Sequence, residues 1–285
     1  MKTKLFSSFL LTIALAFICT ELNGSCSSCS KKDSTSVNST NLPLNLSIYI
    51  DLSDRIVKER DGLQASKDTA IVGFITRELN NKLWKKNIKY AKDRIKVFFY
   101  PAPNSNEINQ LSKSLEVDFG QFDKKQTKEK MNAAQNLNAN FNKSLQTIYD
   151  NSISEHKFIG SDIWGFFDTK AKDMCVKNGY RNVLVILTDG YIYDEHRNKI
   201  EGNQANYITK QTLAKEMSLI PTGKKVEGLE VLVLEVNADP IGDFNKIEET
   251  IGEWFKSMGI TKFKIAETDL PKNTESIIQN FLNQK

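Results

Sequence analysis

Three short loops hold the residues of this sequence best suited to chemistry. They are Asp51-Leu52-Ser53-Asp54-Arg55, Gly160-Ser161-Asp162-Ile163 and Thr188-Asp189-Gly190. Each offers carboxylate or hydroxyl oxygens. Hard divalent cations such as Mg²⁺, Mn²⁺ or Ca²⁺ take oxygen ligands, with water and a partner's carboxylate completing the shell. Asp51, Ser53, Asp54, Ser161, Asp162, Thr188 and Asp189 supply such oxygens, so the three loops together could serve a cation. Arg55 is the exception, because a guanidinium has only donors and stays charged, so it cannot ligate. Two arrangements remain open for it. It can pair with Asp54 or another acid and leave a weaker metal site, or it can stand near Asp51 and Asp189 in place of the metal.

Catalytic machinery is thin. The chain has only two histidines, and it shows no Gly-rich phosphate loop, no Gly-x-Ser-x-Gly elbow and no Ser-His-Asp set. His156 has no cysteine or histidine at ligand spacing, and Asp194-Glu195-His196 reads as an exposed turn. Cys175, on a helical pattern, reads as a small core residue. A metal-assisted phosphohydrolase resembling the haloacid-dehalogenase-like phosphatases would have a second aspartate two residues after Asp51 as general acid, where Ser53 stands. Binding without turnover is the expectation.

These loops need a scaffold. Leu46, Ile48 and Ile50 mark a buried strand ending at Asp51, and residues 66–86 carry apolar positions at helical spacing. Strands are predicted at 94–100, 114–119, 181–188, 229–236 and 262–267, the second of these an edge strand. Helices are predicted at 124–152, 162–178, 206–218, 242–258 and 273–283, with a polar hairpin within 191–205. The step from 100 to 114 reads as a direct strand-to-strand connection. Alternating strands and helices imply an α/β fold: a Rossmann-like, doubly wound, mainly parallel six-stranded sheet with one antiparallel edge strand. Ligands then belong outside the carboxyl ends of the strands, where the three loops stand.

The amino-terminal residues follow a different logic. Lys2 and Lys4 precede an almost wholly apolar run from Leu5 to Ile18, too short to span a bilayer comfortably. Cys26 and Cys29 follow, each with small residues before it, like the site at which bacterial lipoproteins are cleaved and acylated. Cys29 is preferred over Cys26 as the lipid anchor. Residues 1–29 are thus read as a lipoprotein-type signal with its anchor cysteine, 30–44 as a Ser-, Thr- and Asn-rich tether, and 45–285 as the domain. The formal charge of +4 is mild and dispersed, which argues against a nucleic-acid partner.

The loops and the element order together resemble the von Willebrand factor A (vWA) family over roughly residues 44–284. Asp51 and Ser53 match the first two positions of that family's Asp-x-Ser-x-Ser motif, and Arg55 stands at the third. Ser161 stands where the family has a threonine, and Asp189 matches its last acid. The resemblance implies a variant metal-ion-dependent adhesion site that binds a protein partner through a divalent cation, the partner supplying a carboxylate. With the anchor, it implies a lipoprotein held on a membrane of the cell envelope. The alternatives are a metal-free scaffold in an envelope complex and, further off, the phosphohydrolase.

Overall fold

Strand β1 (Leu44–Ile50) is buried along its whole length. Its alternate residues serve opposite faces of the sheet: Leu46, Ile48 and Ile50 enter one core, and Tyr49 enters the other. Strand β4 (Arg181–Leu187) divides in the same way, with Val183, Val185 and Leu187 on the first face and Leu184 and Ile186 on the second. Apolar residues on both faces of central strands require helices on both sides, the condition under which parallel sheets form. In the computed structural model, the residues described are 42–57, 63–103, 105–154, 161–191, 223–238 and 242–284.

The remaining strands are β2 (Arg94–Phe98), β3 (Glu116–Asp118), β5 (Leu229–Val236) and β6 (Phe263–Glu267). The six form one sheet in the order β3-β2-β1-β4-β5-β6. Every pairing is parallel except β2 with β3, where Ile95 faces Val117. The architecture is thus α/β and Rossmann-like, with an antiparallel edge.

Helices α1 (Gln64–Lys85), α2 (Asn106–Ser114) and α3 (Thr127–Ser154) come first. They are followed by α4 (Ile163–Thr169), α5 (Ala171–Cys175), α6 (Gly242–Ser257) and α7 (Pro271–Asn283). On the first face, α1 supplies Val72, Ile75 and Leu79, α3 supplies Leu137, Phe141 and Leu145, and α7 supplies Ile278 and Phe281. On the second face, Phe167 of α4 meets Trp254 and Phe255 of α6, with the Phe167 and Trp254 rings 5.0 Å apart.

Three expectations change. The step from β2 to β3 is not direct, because α2 lies within it, capped by the Ser105 hydroxyl accepting from the Ile108 N–H at 3.3 Å. Its short apolar pattern follows two prolines and is easily read as loop. The single helix expected at 162–178 is two short ones, broken at Lys170. Trp84, expected in or near the core, is exposed. The expected hairpin at 191–205 and helix at 206–218 lie, but for Tyr191, outside the described residues. Among the described residues, no helix is long and apolar enough to cross a membrane.

Candidate functional site

The chain leaves β1 towards β2 on one side of the sheet and leaves β4 towards β5 on the other. The crevice between the carboxyl ends of β1 and β4 is therefore the topological switch point, where open α/β sheets lodge ligands. Ile50 is in register with Leu187, so Asp51 and the Thr188-Asp189 pair emerge side by side. The Asp51 N–H continues the ladder by donating to the Leu187 carbonyl at 3.0 Å.

Asp51 is buried, and both its carboxylate oxygens are engaged. Oδ1 accepts from the Ser53 N–H at 2.8 Å, and Oδ2 accepts from the Thr188 hydroxyl at 2.9 Å. The Ser53 side chain also bonds to this carboxylate. Burial pushes the Asp51 carboxyl up from its ordinary 3.8 to about 6; Arg55 opposes that rise and the Asp189 carboxylate adds to it. The Asp189 carboxylate thus stands near enough across the switch point to disfavour the charged form of Asp51. Asp189 is half-buried; its Oδ1 accepts from the Tyr191 N–H at 3.1 Å and its carbonyl from the Asn237 N–H at 3.1 Å.

Arg55 turns inward, away from solvent. It lies in a 3-10 turn (Asp54–Val57) and is 2% exposed. Its Nη2 donates to Asp68 Oδ2 at 2.6 Å and to the Leu187 carbonyl at 3.0 Å, and its Nε donates to the Asp51 carbonyl at 3.1 Å. The Nε lies 3.9 Å from Asp51 Oδ2, an ion pair without a hydrogen bond. Burial alone would lower the guanidinium's proton affinity, but the Asp68 and Asp51 carboxylates hold it above its ordinary value. Arg55 thus pairs with Asp68, an acid other than Asp54, and it also stands beside Asp51, so elements of both arrangements open from sequence are present.

Asp68 was not picked out from the sequence, although a signal exists. It occupies the buried stripe of α1, four residues before Val72 and seven before Ile75, where an unpaired carboxylate would be costly. Tyr149 of α3 donates to Asp68 Oδ2 at 2.9 Å, and Gln64 Nε2 donates to Asp68 Oδ1 at 3.0 Å. Gln64 also reaches Glu235 Oε2 at 3.1 Å, which accepts from the Thr268 hydroxyl at 2.8 Å. Glu235 has φ +65° beside a register irregularity between β5 and β6, so its aim is set by backbone geometry that local sequence does not announce.

Ser161 is buried beside Tyr49, two residues before Asp51 in β1. The Tyr49 hydroxyl donates to the Tyr100 carbonyl at 2.6 Å and lies 2.9 Å from the Ser161 hydroxyl. A tyrosine has one hydroxyl proton, and the carbonyl has none to give. Ser161 therefore donates to Tyr49, and its remaining lone-pair capacity can face a cation. The next residue, Asp162, caps α4 by accepting from the Gly165 N–H at 2.7 Å.

Asp51, Ser53 and Asp189 are thus gathered at one crevice, with Ser161 joined to β1 through Tyr49. Among the described residues, no three His, Cys, Asp or Glu side chains come together to hold a metal ion. A cation here would rest on two carboxylates, hydroxyls and water, a donor set that suits a hard ion. Cys26, Cys29, His156 and the Asp194-Glu195-His196 turn lie outside the described residues.

No family model matches the chain, and no curated protein matches it. Among solved structures it is similar to the crystal structure of the pilus adhesin SpaC from Lactobacillus rhamnosus GG, at 14% identity and a TM-score of 0.39. The match covers 84% of this chain but 30% of that one, so the chain spans under a third of the adhesin's length. At that score the likeness says nothing about function.

Proposed function

We propose that this chain is an exported, lipid-anchored binding module of the vWA type, in which Asp51, Ser53, Ser161 and Asp189 hold a divalent cation. A protein partner's carboxylate would complete the ion's shell, and no bond in either protein would be made or broken. The observation that carries this reading is the approach of Asp51 and Asp189 at the switch point, with Asp51 driven up to about 6. A divalent ion would relieve both the burial and the repulsion. The ion pair of Arg55 with Asp68 also supports it, since at 2.6 Å against 3.9 Å to Asp51 the guanidinium's main countercharge is Asp68.

The test is a calorimetric and melting titration with Mg²⁺ and Mn²⁺, with Asp189→Ala as the comparison. An ion present at about 1,000 times its dissociation constant should stabilise the wild type by roughly 4 kcal/mol and leave the variant unmoved. No heat and no shift in the wild type would refute the metal reading. That result would favour a second one, a metal-free scaffold in an envelope complex. Its support is the 3.9 Å approach of Arg55 Nε to Asp51 Oδ2, which already supplies part of the countercharge.

A further inference from the structure

The opposite end of the sheet carries a second constellation of charge. Where β1, β4, β5 and β6 begin, a cleft of about 430 Å³ opens between the carboxyl ends of α1 and α7. Lys82, Lys85, Lys86, Arg181 and Lys262 line it, against Glu230 as the single lining acid among the described residues. Glu230 is already shared, accepting from Arg181 Nη2 at 2.6 Å and pairing with Lys262 at 3.1 Å. Lys86 pairs with Asp93 just behind at 3.1 Å, so three positive charges stand in excess over these two acids.

The cations are held in place by more than chance packing. Lys82 Nζ donates to the Leu282 carbonyl at 2.9 Å, and Arg181 Nη1 donates to the same carbonyl at 2.6 Å. Both thereby cap the carboxyl end of α7, where cations are favoured. Burial above all, and then Arg181 and Lys86 alongside, pulls the Lys82 ammonium down to about 8.

Two further features belong to this end. Trp84 and Tyr90 are the exposed large aromatic side chains among the described residues, and both flank the carboxyl end of α1. Rings with an apolar body and a polar tip suit the headgroup level of a bilayer. Leu42 and Leu44 also line the cleft, so whatever precedes Leu42 joins the fold here.

We propose that this end of the domain docks on an anionic lipid surface, with phosphate headgroups entering the cleft between Lys82, Lys85 and Arg181 and with Trp84 and Tyr90 at the interface. The candidate cation site, at the other ends of the strands, then faces away from the membrane. The docking does not depend on an acyl anchor or on a bound metal, so it can fail or stand separately from the proposed function.

The test uses the full chain with Cys26 and Cys29 replaced by serine, so that no acyl group contributes. It reads the gain in binding when one third of the phosphatidylcholine in vesicles is replaced by phosphatidylglycerol. A clear gain that falls with added salt is expected. Lys82→Gln with Lys85→Glu should weaken it by roughly a hundredfold, whereas the charge-matched pair Lys246→Gln with Lys272→Glu, near the amino ends of α6 and α7 at the opposite end of the sheet, should leave it within about twofold. Lys85→Glu alone, at an exposed position, keeps the result readable if the double variant fails to fold. No gain with phosphatidylglycerol, or equal losses from the two charge-matched pairs, would overturn the proposal. So would full competition by free glycerol phosphate at micromolar concentration, which would assign the cleft to a soluble phosphate ester.

Discussion

Arg55 Nη2 lies 2.6 Å from Asp68 Oδ2, and both side chains are almost fully buried. The pair joins the loop after β1 to the first turns of α1, and Tyr149 joins it to α3. It sits directly beneath Asp51, whose carbonyl it also holds.

Removing one partner of this pair should be costly. Arg55→Ser leaves Asp68 buried without its countercharge. A loss of about 3–5 kcal/mol is expected, read by denaturant unfolding. The double variant Arg55→Ser with Asp68→Asn should recover at least half of that. A double-mutant cycle showing no coupling would mean that the pair contributes nothing specific.

Asp51 gives stability a pH dependence. Its folded value of about 6 lies above its ordinary 3.8, so the native state holds the proton more tightly than the unfolded chain does. The resulting stabilisation is fully present below about 3.8 and is lost as pH rises through about 6. It amounts to about 3 kcal/mol at most. In EDTA, the melting-temperature difference between wild type and Asp51→Asn should change between pH 4 and pH 7 in favour of the variant at the higher pH. A pH-independent difference would contradict the raised value.

Tyr49→Phe tests the orientation of Ser161. The phenylalanine keeps the ring contacts with Phe98 and Phe166 but deletes the hydroxyl that bonds the Tyr100 carbonyl and Ser161. Leaving these groups without that partner should cost about 1–3 kcal/mol in thermal unfolding. If the cation reading holds, Mg²⁺ affinity should fall in the same variant, because Ser161 is no longer held by its donated bond.

Gly190 turns the chain after Asp189 in the left-handed backbone region. It has φ +87°, and a Cβ there would lie 2.9 Å from Val236 Cγ1 and 3.2 Å from Ile247 Cγ2. Gly190→Ala should therefore destabilise by about 1–3 kcal/mol and shift Asp189. A variant as stable as wild type would show that the loop adopts another path without cost.

Much of this was legible in the residues themselves. The period of two in β1 and β4, with both faces apolar, announces buried parallel strands, and element order then places Asp51 and Asp189 at strand ends. The antiparallel pairing of β3 agrees with the sequence expectation, but the direct step from which it was argued does not exist, since the nine residues of α2 lie within it. The partner of Arg55 was not legible, because Asp68 is thirteen residues away on a helix whose rotation decides which side chains turn under the loop. Nor was the aim of Glu235, set by a bulge, or the sharing of Leu282's carbonyl by Lys82 and Arg181, which come from two different elements. Local pattern determines which segments become strands and helices, because propensity and hydrophobic period act over a few residues. Which charges meet depends on how those segments pack, and only the tertiary structure decides that.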